Sequence, residues 1–235
     1  MKNTGKKWSR LRPGINVLES ILKSQHVKIS TPKFSWLSLF TVLLIIVACS
    51  EEETAGIQGD PQVSESELQA KDGHLLLRID DLPGDIPVDE EIRFGAATHF
   101  TGANLSPDGI RLAITTAGTS HGAGWMLDLE TEQIIPAAFQ FGGSVETGPW
   151  SDNGRYAIFI NKNPASGQTL TIADTRSEGS IVAETSMPIR LPEHDESGAG
   201  EKVYQPISWE EDEFIFGVDG AFYRYNPGIG EILEY

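Results

Sequence analysis

The sequence predicts an all-β domain, a partial or small array of about three to four four-stranded blades, and three observations predict it. The first is a repeat. Asn104-Leu105-Ser106-Pro107-Asp108-Gly109 ends a short apolar strand in a turn. The strand 111–116, a Gly/Ser-rich loop and the strand 125–129 follow, and the last runs into Asp128-Leu129-Glu130-Thr131. The same order returns over 147–154, 156–161, 170–174 and the turn 176–179. It returns again, shortened, over 205–212, 214–218, 222–225 and 226–230. The second observation is spacing. With Leu105, Trp150 and Trp209 equivalent, the intervals are 45 and 59 residues, and units of roughly 40–50 residues with four short strands each are the signature of propeller blades. The third is punctuation: Gly and Pro interrupt nearly every interval, as turn-dense β folds require, and no helical pattern follows Cys49.

The N-terminal segment, 1–48, carries an address. It holds eight Lys/Arg and the single acid Glu19. Residues 34–48, FSWLSLFTVLLIIVA, form an uncharged run; it is shorter than the roughly 20 residues of a spanning helix and suits the apolar core of a signal peptide. Cys49, the only cysteine, follows at once. An apolar run, a small residue and then cysteine is the order of a cleavage signal. Ile46-Val47-Ala48-Cys49 resembles a bacterial lipobox, which implies cleavage after Ala48 and lipidation of Cys49. Ser50 in place of Asp resembles Gram-negative sorting to the outer membrane, with the domain facing the periplasm. A leader of 48 residues exceeds the usual 15–30. Counting from Val27 gives a basic start at Lys28 and Lys33 and a leader of 22 residues, so translation is expected to begin near Val27, the alternative being a basic cytoplasmic tail before a signal anchor. With Cys49 acylated, neither a disulfide nor a catalytic thiol is available.

Residues 49–71, rich in Glu, Ser and Gln and nearly without apolar side chains, are expected to be a flexible tether. From Cys49 onward there are 10 basic and 33 acidic residues, a formal charge of −23. A surface of that sign repels phosphate backbones and anionic lipid, which argues against nucleic-acid binding and leaves the lipid on Cys49 as the membrane contact.

The domain, 72–235, opens with a strand at 74–79, expected to pair with the strand-like end of the chain at 230–235 and so close the array. Pro83-Gly84 marks a turn, and 92–100 leads into the first full repeat. The long second interval comes from an insertion at 188–203, charged and glycine-bearing. Its Arg190, Glu193, His194, Asp195 and Glu196 are the candidate partner-binding loop, because exposed loops on rigid scaffolds carry specificity. Three repeats are few for a closed ring, so an incomplete ring would leave edges that oligomerisation could cover. Trp125, Trp150, Trp209, Phe222 and Tyr223 fall at strand positions of the repeat and are expected between blades.

The turn before a strand, then a short strand ending in an acidic DLET turn, resembles the WD-repeat-like blades of TolB-type periplasmic propellers, over about 100–235. Residues 106–113 are the best copy. The second copy keeps Trp150-Ser151 and Gly154 with Asp152-Asn153 for Pro-Asp; the third keeps Tyr204, Pro206 and Trp209 without the glycine turn. The resemblance implies a scaffold whose partner is another envelope lipoprotein.

Chemistry is sparse. Gly118-Thr119-Ser120-His121-Gly122 spells the G-x-S-x-G hydrolase elbow, but an elbow needs a helix after the serine and a strand is expected there. His26, His74, His99, His121 and His194 show no metal spacing. Asp108, Asp152 and Asp212 lie in equivalent turns, where short carboxylates bond local backbone N–H groups, and no calcium loop is spelled. The expectation is a non-catalytic, cofactor-free lipoprotein that binds a protein or cell-wall component; the alternatives are a small-ligand sensor and a serine hydrolase using Ser120.

Overall fold

The computed structural model describes residues 58–191 and 202–235. The chain divides into Met1–Glu53 and Thr54–Tyr235, and every described residue belongs to the second unit. The three repeats form three antiparallel four-stranded blades. Blade 1 is β6 (His99–Leu105), β7 (Arg111–Ala117), β8 (His121–Asp128) and β9 (Ile134–Phe141). Blade 2 is β10 (Ser144–Trp150), β11 (Tyr156–Asn163), β12 (Gly167–Asp174) and β13 (Ser186–Ile189). Blade 3 is β14 (Lys202–Glu210), β15 (Glu213–Val218), β16 (Ala221–Asn226) and β17 (Glu231–Glu234). A short parallel pairing, Gly167 with Lys202 and Gln168 with Val203, joins blades 2 and 3. Ahead of blade 1 lie a three-stranded sheet, β1 (Gln62–Val63), β2 (Glu67–Gln69) and β3 (Leu75–Arg78), and the hairpin of β4 (Asp85–Pro87) and β5 (Arg93–Gly95). The fold is an all-β, propeller-like array of three blades with an N-terminal sheet.

Strand alternation explains how these layers hold together, since successive side chains leave a strand on opposite faces. On β7, Leu112 and Ile114 face the N-terminal strands and join Leu68, Leu77, Ile86 and Trp125 in one core. Ala113 faces the other way and joins Met126, Ala138, Trp150 and Phe159 in a second. On β11, Ala157 and Phe159 serve that second core, while Tyr156 and Ile158 face blade 3 in a third with Phe214 and Phe216. Each of blades 1 and 2 is thus apolar on both faces and covered by a sheet on each side. The second core is close-packed because blade 1 supplies small residues to it: a Cβ on Gly124 would lie 2.6 Å from the Phe159 ring.

The turn after the first strand of blades 1 and 2 is built by a buried serine. Ser106 Oγ donates to Asp108 at 2.5 Å and accepts from the Arg111 N–H at 2.9 Å. In blade 2, Ser151 Oγ donates to Asn153 at 2.9 Å and accepts from the Tyr156 N–H at 2.8 Å. Asn153, one residue past Asp152, therefore does the work of Asp108. Gly109 and Gly154, at φ 75° and 66°, close both turns in the left-handed region that glycine tolerates.

Five expectations are corrected. The tether does not run to Lys71: β1 and β2 lie inside it, with Leu68 fully buried, because one large apolar side chain among polar ones suffices to dock an extended segment on a ready sheet. The strand expected at 74–79, β3, pairs with β2 and not with the chain end. A one-turn helix α1 (Val182–Thr185) follows Cys49, as does a 3-10 turn at Ile79–Asp81; α1 is held by the Thr185 hydroxyl, which donates to the Pro136 carbonyl at 2.5 Å. The insertion is shorter than 188–203, since Pro188 and Ile189 pair in β13 and Lys202 and Val203 in β14. Phe222 is 52% exposed: it alternates with Tyr223 and Tyr225, which face blade 2, and so points away from the core.

Candidate functional site

The turns β9–β10 and β11–β12 lie at one end of the blades and border a groove of about 420 Å³ between blades 2 and 3. Ser144, Lys162, Asn163, Gly167, Gln168 and Val203 line it. The chain forms the groove here for local reasons. Gly143 lets the β9–β10 turn cross β11, where a Cβ would collide with the Lys162 carbonyl. Gly167 takes φ 90° to close the β11–β12 hairpin. Val203 enters through the parallel pairing of β12 with β14.

The polar groups in the groove are held in place by partners. Lys162 Nζ meets both carboxylate oxygens of Glu146 at 2.6 Å. Asn163 accepts from the Ala165 N–H at 2.8 Å and donates to the Phe141 carbonyl at 3.3 Å. Gln168 Nε2 donates to the Tyr204 carbonyl at 2.6 Å. The groove thus presents apolar surface edged by polar side chains that are already bonded within the chain, and its described lining offers no nucleophile with a base beside it.

The insertion leaves and returns beside this groove. The Leu191 N–H donates to the Tyr204 hydroxyl at 3.2 Å, and Tyr204 lies two residues after Lys202, so Tyr204 ties both ends. Arg190 is exposed at the outgoing end. Glu193, His194, Asp195 and Glu196 of the candidate loop, and Ala48 and Cys49, lie outside the described residues. The groove residues Lys162, Asn163 and Gln168 were not among the candidates from sequence. The available signal was the turn sequence Asn163-Pro164-Ala165-Ser166-Gly167, a longer hairpin loop at the same end as the insertion.

Ser120 is exposed in the β7–β8 turn, and strand β8 begins at the next residue. A nucleophile elbow needs a helix at that point. His121 is buried with its ring 5.9 Å from Phe94 and 5.6 Å from Phe139, and its Nε2 has no hydrogen-bond partner. Burial in this aromatic setting lowers its pKa from 6.5, because the charged ring would lose its water. At the opposite end of blade 1, burial pushes the Asp128 carboxyl up, but the backbone and hydroxyl of Thr131, the Glu130 N–H and Arg111 together outweigh it and hold the pKa below the ordinary value. That network is the DLET turn, with Thr131 donating twice at 2.9 Å. Among the described residues no group of three or more His, Cys, Asp or Glu is placed to hold a metal ion.

No protein-family model matches the chain, and no curated protein matches it. Among solved structures it is similar to the β-propeller domain of the Trilobed protease from Pyrococcus furiosus, described as having an open velcro topology. The identity is 13% over 74% of this chain and 57% of that one, with a TM-score of 0.40. It is also similar to TolB from Acinetobacter baumannii, at 16% identity over 75% of this chain and 40% of that one, with a TM-score of 0.39. The tricorn protease matches at 11% identity over 72% of this chain and 20% of that one, TM-score 0.33. The chain thus spans about half the length of the first two.

Proposed function

We propose that this chain is a lipid-anchored, non-catalytic binding scaffold of the bacterial cell envelope, and that its partner, a protein or cell-wall component, docks at the blade end that carries the groove. The observation that carries this reading is the meeting of the groove, the β11–β12 turn and both ends of the insertion around Tyr204. Rigid strands hold a concave surface, and the two described ends of the charged insertion meet beside it, which suits a scaffold that places specificity on a loop. The anchor rests on the order of the apolar run 34–48, Ala48 and Cys49, and on Ser50 for the outer membrane. The remaining acidic surface keeps the domain off anionic lipid and nucleic acid.

The test is site-specific photocrosslinking in intact cells. A benzoylphenylalanine at Asn163, in the groove, is expected to give a discrete higher-mass adduct; the same group at Asp152, in the turn at the opposite blade end, is expected to give none. Equal labelling at both positions, or none at Asn163, removes this end as the docking site.

A further inference from the structure

Blade 2 carries a hollow of about 140 Å³ at the end opposite the groove, where α1 and β13 meet β12. Cross-strand pairing builds its floor. Tyr156 stands opposite Asp174 and Ile172 opposite Met187, and Ile172 and Asp174 are two apart on β12, so the four side chains share one face of the blade. Glu184 and Ser186 also line it, and both Glu184 and Met187 are exposed, so the hollow opens to solvent on their side. One of its walls holds an unsatisfied group. Tyr156 is 5% exposed, with its ring stacked on Trp209 at 5.9 Å and the Arg155 guanidinium 4.6 Å over it, yet its hydroxyl has no hydrogen-bond partner among the described residues. Buried hydroxyls are ordinarily bonded, because an unmade bond leaves the loss of water uncompensated. Burial first, and Asp174 next, push the Tyr156 pKa above its ordinary value, so the hydroxyl keeps its proton at neutral pH and can both donate and accept.

The charges around the hollow do not balance. Asp174 is compensated, by Arg155 at 2.7 Å and by the Arg176 N–H at 3.0 Å. Arg176 and Asp212 act on Tyr156 in opposite senses. Glu184 accepts from the Ser180 N–H at 3.1 Å and has no basic partner among the described residues, which leaves the hollow one negative charge in excess. We infer that it is a binding site for a short aliphatic primary amine in its ammonium form, with the Tyr156 hydroxyl and the Glu184 carboxylate accepting from the ammonium and the alkyl chain lying on Ile172 and Met187.

Size and geometry select within that class. A cavity of roughly 150 Å³ takes up benzene, so this one admits a ligand of about six non-hydrogen atoms. The Tyr156 ring already meets Trp209 and Arg155, which leaves no aromatic cage for a quaternary ammonium, and recognition rests on N–H donors. The acidic domain around the site concentrates cations near it. A ligand this small with one charged contact binds weakly, with a Kd on the order of 1 mM. The site lies at the other blade end from the groove and stands whether or not a partner docks there.

Saturation-transfer NMR on the full chain in maltoside detergent, referred to micelles alone, tests this with n-butylamine at about pH 7. The amine is expected to give a saturable signal with a Kd on the order of 1 mM. Butanol keeps the chain without the charge, and tetramethylammonium keeps the charge without N–H donors; each should bind at least about tenfold more weakly. Tyr156→Phe leaves the ring on Trp209 and removes only the hydroxyl. That variant and Glu184→Gln, at an exposed position, should each weaken the amine by about fivefold or more. Asp152→Asn, an exposed carboxylate outside the hollow, should leave the Kd unchanged. The inference is overturned if no saturable signal appears, if butanol or tetramethylammonium binds as tightly as the amine, or if either Tyr156→Phe or Glu184→Gln binds like the parent. Weakening by Asp152→Asn equal to that by Glu184→Gln overturns it too, since that is a general attraction to acidic surface. Should Tyr156→Phe lose its cooperative thermal transition, Glu184→Gln and the two analogues decide the matter without it.

Discussion

Trp150 and Trp209 occupy the same position of the repeat and make the same bond. Trp150 donates its indole N–H to the Asn104 carbonyl at 3.1 Å, and Trp209 donates to the Pro149 carbonyl at 3.3 Å, each reaching one blade back. Asn104 returns the contact by donating to the Gly148 carbonyl at 3.1 Å. Trp150 is buried in the core between blades 1 and 2, so Trp150→Ala should cost about 3–5 kcal/mol, the range for deleting a large buried aromatic. Urea melts of the full chain check this; a midpoint within error of the parent would place the indole outside the core. His121 makes a different prediction. Its folded pKa lies below the unfolded 6.5, so the folded state disfavours the proton. The stability it leaves intact is complete above about pH 6.5 and is lost as pH falls from there through the depressed folded value. His121→Phe keeps a ring between Phe94 and Phe139 and removes the titration. The melting midpoint of the parent should drop between pH 7 and pH 5 by more than that of the variant, and parallel profiles would show that the ring is solvated.

At the scale of the element, each blade begins with a bulged strand. The register shifts fall at Phe100/Gly102, Thr147/Trp150 and Pro206/Ser208, close to equivalent positions of the repeat. A bulge bends and twists its strand, which in blades 2 and 3 lets the aromatic at its end reach the blade before it. The middle strands have the opposite need, a flat contact with the next sheet. On β8 that need selects glycine: Gly122 stands against the backbone of Ser144 and Val145, and Gly124 against Phe159. Gly124→Ala should therefore destabilise by about 1–3 kcal/mol through overpacking, although alanine suits a strand better than glycine does. A thermal midpoint raised by the substitution would mean that blade 2 can slide to make room.

At the scale of the molecule, the blades stack in chain order, and the two turns that border the groove sit at the end where the insertion leaves and returns. The chain's single cysteine, Cys49, lies ahead of the domain, and the proposed lipid anchor depends on it alone. Cys49→Ser should abolish incorporation of labelled palmitate and release the domain from the membrane fraction. Label retained by the variant would remove the lipid anchor from the proposed function.

The sequence by itself determined the repeat, its strands and its turns. Those depend on contacts a few residues long: Ser106 with Asp108 and Arg111, Asp128 with Thr131, and the period-2 run of Leu112 and Ile114 against Ala113. Tertiary structure decided what depends on distant partners. Residues 58–70 read as a solvated tether because their composition is polar, yet Leu68 finds a finished sheet to dock on, and a short segment needs only one such residue when the rest of the core is already built. The strand at 75–78 pairs with its neighbour β2 because a local hairpin closes a shorter loop than the chain end could. Phe222 reads as core from its repeat position, and only the register of β15 with β16 turns it outward. The groove was invisible for the same reason: Lys162 and Gln168 face each other across the local β11–β12 hairpin, but Val203 is distant along the chain, and only the β12–β14 pairing, two residue pairs long, brings it beside them.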